Sequence, residues 1–256
     1  MILLDARGVS QDFGGLRALD DVSLRIQEGE VFGLIGPNGA GKTTFFNIVT
    51  GFLRSSDGSI FYRDKEITAL EPFRIAKLGL LRTFQITSVF PELTAEENIV
   101  IGCHLKRKCN LLHTVLRTKG YRARQQELKY KANHVLKFIG MEKEKDTLAC
   151  NLAFGDQRRL EIGIALAGEP ELLLLDEPAA GMNPEESLKL VNFIQQMNKS
   201  GITILIVEHN MKVVMEVCNR IAVLNQGRQI AEGTPDSIAE SNEVISVYLG
   251  GNHKYA

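Results

Sequence analysis

The sequence lacks a long apolar run. Its longest wholly apolar stretches, such as residues 172–175 and 204–207, have the length of strands, whereas a helix that spans a membrane needs about 20 such residues. Asp5 interrupts the place where a signal peptide would continue its apolar core. We therefore expect a protein that neither spans the membrane nor is exported, and that docks on a membrane protein if it serves a membrane function.

Paired cysteines and an excess of charge of one sign are also missing. Cys103, Cys109, Cys150 and Cys218 form no C-x-x-C pair, and no histidine cluster accompanies them. This pattern predicts free thiols in a reducing cytoplasm rather than a zinc site. The formal net charge of -1 provides no global basic field for nucleic acid and no acidic tail.

The composition is that of a folded domain. The chain has 256 residues, of which 44% are hydrophobic and 24% charged, which is enough for one large domain or for one domain that carries a subdomain. Short β-rich runs and glycine turns fill the first third. A predicted strand at 31–35, a glycine-rich loop and a predicted helix at 42–49 follow in the order typical of an α/β fold.

The middle of the chain has a helical pattern. Residues 94–97 form a capping box that opens a helix, and apolar residues recur at helical spacing over 128–139. We predict a mostly helical subdomain over 86–155, inserted into an α/β core that residues 1–85 and 156–256 form together.

The last third returns to α/β order, with an antiparallel portion at its end. The apolar run at 172–175 is typical of a strand buried on both faces of a parallel sheet. Asn183 and Pro184, followed by two acids, predict a helix start. Two β-rich runs around residues 226–227 predict a hairpin.

A phosphate-binding loop is predicted at residues 36–43, which match G-x-x-x-x-G-K-[ST] at every fixed position. The glycines allow backbone N–H groups to point at phosphate oxygens, and the next helix adds its positive N-terminus. Lys42 would place its charge on the β- and γ-phosphates, and the Thr43 hydroxyl would ligate Mg²⁺. The alternative is a glycine-rich turn that matches by chance. The predicted cofactor-binding residues here are Gly36, Pro37, Asn38, Gly39, Ala40, Gly41, Lys42, Thr43 and Thr44.

An acidic pair, Asp176 and Glu177, ends the apolar run at 172–175. Ligands bind at the carboxyl ends of strands in open α/β sheets. Asp176 is predicted to hold Mg²⁺, and Glu177 to act as the general base for the attacking water. The alternative is that both acids cap the next helix. Together with the upstream loop, the pair predicts an ATPase that uses ATP and Mg²⁺.

A third motif, at residues 152–156, indicates which family of ATPases the chain resembles. Residues 152–156 resemble the signature loop of the ATP-binding cassette (ABC) family, usually written L-S-G-G-Q, although Ala153 replaces the serine and Asp156 the glutamine. In that family the loop faces the γ-phosphate bound by the other subunit. The resemblance therefore implies nucleotide contacts for Leu152, Ala153, Phe154, Gly155 and Asp156.

Four more positions resemble functional residues of the family. Gln85 resembles the glutamine that links metal or water to the helical subdomain, and His209 the switch histidine at the γ-phosphate. Asn183 stands in the loop that crosses the dimer interface, where aspartate is commoner. Phe13 precedes the loop where the family stacks an aromatic ring on adenine. A structural histidine and a core aromatic are the alternatives for His209 and Phe13.

Segments along the whole chain resemble one subfamily of these cassettes. Residues 13–19, 82–85, 151–155, 176–181 and 208–212 are similar to the branched-chain amino acid uptake subunits. This resemblance implies a homodimer, or a pair with a paralogous cassette, on the cytoplasmic face of the membrane. The partners implied are integral-membrane permease subunits and, indirectly, an extracytoplasmic substrate-binding protein. Urea or amide uptake, lipopolysaccharide export, a soluble ABC ATPase and a catalytically silent module remain alternatives.

A basic stretch from Lys106 to Arg124 is the only concentration of charge. It is either a solvated helical arm or a segment that lies near anionic lipid head groups or permease loops. Only one tyrosine, Tyr121, lies among these charges. Because aromatic residues do not alternate repeatedly with the charges, we expect no nucleic-acid partner.

Overall fold

The structure is a computed structural model that describes residues 1–83, 89–104 and 119–249. Its strands are β1 (Ile2–Phe13), β2 (Leu16–Gln27), β3 (Val31–Ile35), β4 (Asp57–Tyr62), β5 (Lys65–Glu66), β6 (Leu80–Arg82), β7 (Leu172–Asp176), β8 (Thr203–Val207), β9 (Arg220–Asn225) and β10 (Arg228–Gly233). Its described helices are α1 (Lys42–Val49), α2 (Pro72–Lys77), α3 (Ala95–Gly102), α4 (Lys119–Phe138), α5 (Phe154–Ala167), α6 (Pro184–Lys199), α7 (Met211–Val217), α8 (Pro235–Ala239) and α9 (Asn242–Leu249).

The chain divides into two compact units, one formed by Met1–Arg82 with Glu171–Ala256 and one by Thr83–Pro170. The predicted insertion at 86–155 falls inside the second unit. That unit also contains residues 156–170, because α5 packs against α3 and α4 there. Within the described ranges, no helix is both long enough and apolar enough to cross a bilayer.

The first unit holds two sheets. An antiparallel sheet has the order β2-β1-β4-β5, and a six-stranded sheet has the order β10-β9-β3-β8-β7-β6. In the second sheet all neighbours pair in parallel except β9 and β10, which form the predicted hairpin. Every residue of β3, β7 and β8 is buried. This confirms the strands predicted from their apolar runs, which suit burial on both faces.

Helix starts also follow the sequence signals. The Thr94 side chain accepts a bond from the Glu97 N–H while the Glu97 side chain accepts one from Thr94, so the predicted capping box is confirmed. Asn183 and Glu186 form a second capping box at the start of α6, with Pro184 as the first helical residue. Helix α1 spans the predicted range, Lys42–Val49.

The core of the first unit lies between the two sheets and α1. Its large, fully buried side chains come from β1, β3 and α1, and they include Leu4, Phe32, Leu34, Phe45 and Phe46. Side chains packed this closely fix the start of α1 against β3. The loop that joins the two elements therefore has a rigid support on both sides.

Helices α3 and α5 approach very closely in the second unit. A Cβ added at Gly102 would lie 2.1 Å from the Ile164 carbonyl oxygen, and one at Gly163 would lie 2.7 Å from Ile99 Cδ1. Neither contact is sterically possible without movement, so glycine at both positions permits this crossing.

We expect Gly102→Ala to lower the free energy of unfolding by about 1–3 kcal/mol, because the new methyl group would force α3 away from the backbone of α5. Urea denaturation followed by circular dichroism measures this. Gly15→Ala is the matched control, since a Cβ there would meet no atom within 4 Å. An unchanged denaturation midpoint for Gly102→Ala would show that the helices are not in close contact.

Candidate functional site

The predicted phosphate loop connects β3 to α1 and is clamped by neighbouring backbone. A Cβ at Gly36 would lie 2.1 Å from the Leu224 carbonyl oxygen of β9, and one at Gly41 would lie 2.7 Å from the Ala18 carbonyl oxygen of β2. Gly41 also has a φ of 103°, in the left-handed region that favours glycine. The loop therefore keeps its curvature only with glycine at these two positions.

Lys42 is buried at the start of α1. Its Nζ donates to the carbonyl oxygens of Gly36 at 2.7 Å and Pro37 at 3.0 Å. Burial lowers the pKa of Lys42, and the negative charges of Glu177 and Asp176 oppose that shift. The ammonium group is thus held inside the curve of the loop, where a phosphate oxygen could accept its hydrogen bonds.

The rest of the loop offers an exposed rim. Asn38 and Gly39 are exposed and Ala40 is buried, while Thr43 is exposed and Thr44 half-buried in the first turn of α1. The N–H groups of a first turn have no partner within their helix, and they carry the positive end of its dipole. This arrangement suits an anion above the rim.

Asp176 ends β7 and forms a buried ion pair that the sequence did not predict. Arg82, the last residue of β6, donates from one terminal nitrogen to Asp176 Oδ2 at 2.6 Å and from the other to Asn47 Oδ1 at 2.6 Å. Only 7% of the Arg82 side chain and 3% of the Asp176 side chain are exposed. Arg82 therefore ties the end of β7 to α1.

The oxygen donors suit Mg²⁺. This ion is usually bound by one or two protein oxygens, with water and substrate phosphates as the remaining ligands. The Thr43 hydroxyl and the Asp176 carboxylate provide such donors, and a carboxylate can accept several contacts beyond one arginine bond. Among the described residues there is no group of three or more His, Cys, Asp or Glu that could hold a metal. The third predicted ligand, Gln85, lies outside the described residues.

Glu177 and His209 are in direct contact. His209 Nε2 lies 2.8 Å from Glu177 Oε1, although the two residues follow different strands, β7 and β8. Glu177 has a φ of 49°, which is uncommon for a residue other than glycine. Its N–H donates to the Val207 carbonyl oxygen at 2.9 Å, which holds this conformation. Backbone strain of this kind concentrates at functional sites.

Glu208 was not predicted as a site residue. It is buried after β8, and its carboxylate accepts hydrogen bonds from three backbone N–H groups. Burial raises the pKa of Glu208, while these backbone bonds oppose the shift. An acid placed directly after the apolar run at 204–207 was the available signal, because a carboxylate that is buried there needs hydrogen-bond partners.

The predicted signature loop lies at the start of α5 in the second unit. Leu152 is buried, Ala153 is the N-cap, and Phe154 is exposed. Asp156 forms an ion pair with Arg159 one turn later, so the acid that replaces glutamine has an intramolecular partner. Gly155 lies in the first turn. Within this turn the Asp156 N–H donates to the Ala153 carbonyl oxygen at 2.9 Å.

Two further predicted site residues, Phe13 and Asn183, lie within the described part of the chain. Phe13 ends β1 with 47% of its surface exposed, so it is not a core aromatic. The Asn183 side chain accepts a bond from the Glu186 N–H at 3.0 Å and so caps α6. Most of the basic stretch, residues 105–118, lies outside the described residues.

The fold and this site define a P-loop ATPase of the α/β class. The sequence model of the family "ABC transporter" matches residues 19–180. The chain belongs to the ABC transporter family, as an ATP-binding cassette. The predicted family, fold class and ATPase class are thereby confirmed.

Two curated relatives are similar over almost the whole chain. The high-affinity branched-chain amino acid transport ATP-binding protein LivG of Escherichia coli K12 is 44% identical over 97% of this chain and 98% of its own. The corresponding protein BraF of Pseudomonas aeruginosa is 40% identical, again over 97% of this chain and 98% of its own.

Solved structures show the same fold. A nucleotide-free cassette of an ABC transporter has a TM-score of 0.85 and 32% identity, with 97% of this chain and 99% of that one covered. A cassette in its ADP conformation has a TM-score of 0.86 and 32% identity, with 98% and 99% covered. A dimeric cassette with bound ADP and phosphate has a TM-score of 0.77 and 25% identity, with 91% and 99% covered.

We expect Arg82→Ala to lower the free energy of unfolding by about 3–5 kcal/mol, since it leaves the Asp176 carboxylate buried without this cation. Urea denaturation measures the loss. Lys131→Ala is the control, because the Lys131–Glu169 pair is largely exposed and such pairs contribute less than about 1 kcal/mol. Equal losses for both variants would mean that the Arg82 pair is not buried.

Proposed function

We propose that this chain is the ATP-hydrolysing subunit of an ABC importer for branched-chain amino acids. The observation that carries hydrolysis is the convergence of three features at the carboxyl ends of β3, β7 and β8. These are the phosphate loop, Asp176 and the contact between Glu177 and His209. The cargo is supported by the similarity to LivG and BraF, whose names state branched-chain amino acid transport.

Nucleotide binding uses the loop and its surroundings. Backbone N–H groups of the phosphate loop, which every residue of 36–44 except Pro37 possesses, surround the phosphates. Lys42 exchanges its two carbonyl contacts for β- and γ-phosphate oxygens. The exposed ring of Phe13 stacks on adenine. Thr43 and Asp176, with Gln85 as a further predicted ligand, would hold Mg²⁺, which neutralises charge on the phosphates when bound.

Hydrolysis depends on Glu177. Its carboxylate accepts a proton from the attacking water while the water oxygen bonds to the γ-phosphorus and the bond to the ADP oxygen breaks. His209 Nε2, 2.8 Å from Glu177 Oε1, orients that carboxylate and contacts the γ-phosphate. The left-handed backbone at Glu177 turns the side chain out of the strand direction and toward this position.

The working assembly is a pair of cassettes. Two copies, or one copy and a paralogue, bind two ATP molecules between the phosphate loop of one and the signature loop of the other, residues 152–156. A related cassette forms a dimer with ADP and phosphate bound, which supports this arrangement. The pair acts at the cytoplasmic face of the membrane, where its closure moves the permease subunits and a substrate-binding protein delivers cargo outside.

We expect Glu177→Gln to bind ATP normally and to hydrolyse it about 10²–10⁴-fold more slowly, since a glutamine cannot accept the proton. Phosphate release and equilibrium ATP binding measure the two properties, and size-exclusion chromatography in ATP should show a trapped dimer. Lys42→Ala is the contrasting variant, which should lose ATP affinity. Turnover of Glu177→Gln at the wild-type rate would remove Glu177 as the base.

For the cargo, we expect leucine, isoleucine or valine to stimulate ATP hydrolysis when the cassette is reconstituted with its permeases and substrate-binding protein in liposomes. Phosphate release with and without each amino acid measures this. Urea and short amides serve as the competing cargo class. Stimulation by urea alone would assign the cassette to an amide importer and overturn the amino acid assignment.

A further inference from the structure

The Glu208 carboxylate joins two segments of the candidate site. One oxygen accepts a hydrogen bond from the Ala179 N–H at 2.5 Å. The other accepts from the N–H groups of His209 at 3.0 Å and Asn210 at 3.2 Å. Ala179 belongs to the loop after β7, whereas His209 and Asn210 follow β8. This side chain therefore bridges the two loops just beyond the backbone bond from the Glu177 N–H to the Val207 carbonyl oxygen.

Both loops carry a member of the Glu177–His209 contact. Glu177 lies two residues before Ala179, and its carbonyl oxygen accepts a bond from the Ala180 N–H at 3.1 Å. A shift of the Ala179 N–H therefore moves Glu177 as well. His209 is covalently next to Glu208, and its own N–H is one of the three donors. Glu208 thus holds backbone groups at or next to both ends of the 2.8 Å contact.

We propose that Glu208 is a positioning residue for ATP hydrolysis, which sets the Glu177–His209 distance through its three backbone hydrogen bonds. This inference rests on the proposed function, because it assumes that Glu177 and His209 act on ATP. Glu208 is only 3% exposed and contacts the loops through backbone groups, so it need not touch the nucleotide itself.

The chemistry requires an ionised carboxylate. A carboxylate accepts hydrogen bonds at both oxygens, whereas an amide accepts at one atom and donates at the other. In Glu208→Gln, the amide N–H₂ would face either Ala179 N–H or the pair from His209 and Asn210. One loop would then lose its acceptor and meet a donor. Displacement of reacting groups by about 1 Å can cost 10²-fold in rate.

A matched control lies at the opposite end of β3. Glu30 is also buried and accepts a backbone hydrogen bond, from the Gln27 N–H at 2.6 Å, and it pairs with Arg220. It precedes β3, whereas the candidate site follows the strands. Glu30→Gln therefore makes the same chemical change at a buried carboxylate without altering the Glu177–His209 contact.

The first test compares steady-state hydrolysis and ATP binding of the wild type, Glu208→Gln and Glu30→Gln. We expect Glu208→Gln to lower kcat about tenfold or more, with KM and the ATP dissociation constant changed less than about twofold. Glu30→Gln should keep the wild-type kcat. Loss of kcat in both variants, or of ATP affinity in Glu208→Gln, would make Glu208 a general structural residue and overturn the proposal.

A double-mutant cycle tests whether Glu208 acts through His209. Since residues that act as a unit are not additive, Glu208→Gln should cause little further loss of kcat in a His209→Ala background. Multiplicative losses would overturn the proposal. If the wild type hydrolyses no ATP with its permeases present, the proposed function fails, and the next measurement then decides on Glu208 alone.

That measurement is the ¹⁵N chemical shift of the His209 ring, read by NMR in a chain with five histidines and assigned with His209→Ala. In Glu208→Gln the Nε2 signal should move toward its value in Glu177→Gln, because both variants weaken the same contact. Glu30→Gln should leave it in place. A His209 signal unaffected by Glu208→Gln would show that Glu208 does not position the ring.

Discussion

The parallel register of β3, β8 and β7 is the constraint on which the candidate site depends. Leu34 lies opposite Val207, and Val207 lies opposite Asp176. The three strands therefore end at nearly the same level, and the loops that leave them meet. A slip of one residue would reverse the face of every side chain in the slipped strand. Complete burial of all three strands makes such a slip costly.

Three ionisable side chains near the ends of these strands are buried away from water. Lys42, Asp176 and Glu208 are all nearly inaccessible, and each has partners within the first unit. A site arranged in this way presents fixed dipoles and charges to a bound anion without having to reorganise them. The left-handed backbone of Glu177 belongs to the same pattern, since the surrounding hydrogen bonds hold a conformation that the residue alone would avoid.

The sequence predicted the parts of this site that depend on local patterns. The loop at 36–43, the apolar strand before Asp176 and the helix start at Asn183 each carry their signal within a few residues, as does the capping box at Thr94 in the second unit. The Arg82–Asp176 pair joins residues 94 positions apart, so no local pattern shows it.

The extent of the second unit likewise depends on tertiary packing, which no local sequence pattern shows. Helix α5 packs with α3 because Gly102 and Gly163 permit contact with a facing backbone or side chain. From the sequence alone, two isolated glycines in helices do not reveal which other helix packs against them. The predicted insertion at 86–155 therefore contained only the first residues of α5, whereas the structure groups the whole helix with α3.

The anchoring of Arg82 has a mechanical consequence. Arg82 is the last residue of the first unit before the chain enters the second, and it is bonded to both Asp176 and Asn47. The chain leaves the sheet from a point that is fixed to the end of β7. By thermodynamic linkage, a ligand that binds more tightly when this anchor is intact must also lower the population of states in which β6 is frayed. Fraying of β6 must in turn weaken the binding of that ligand by the same free energy. The stability of the edge strand β6 and the affinity of the site for such a ligand are therefore coupled.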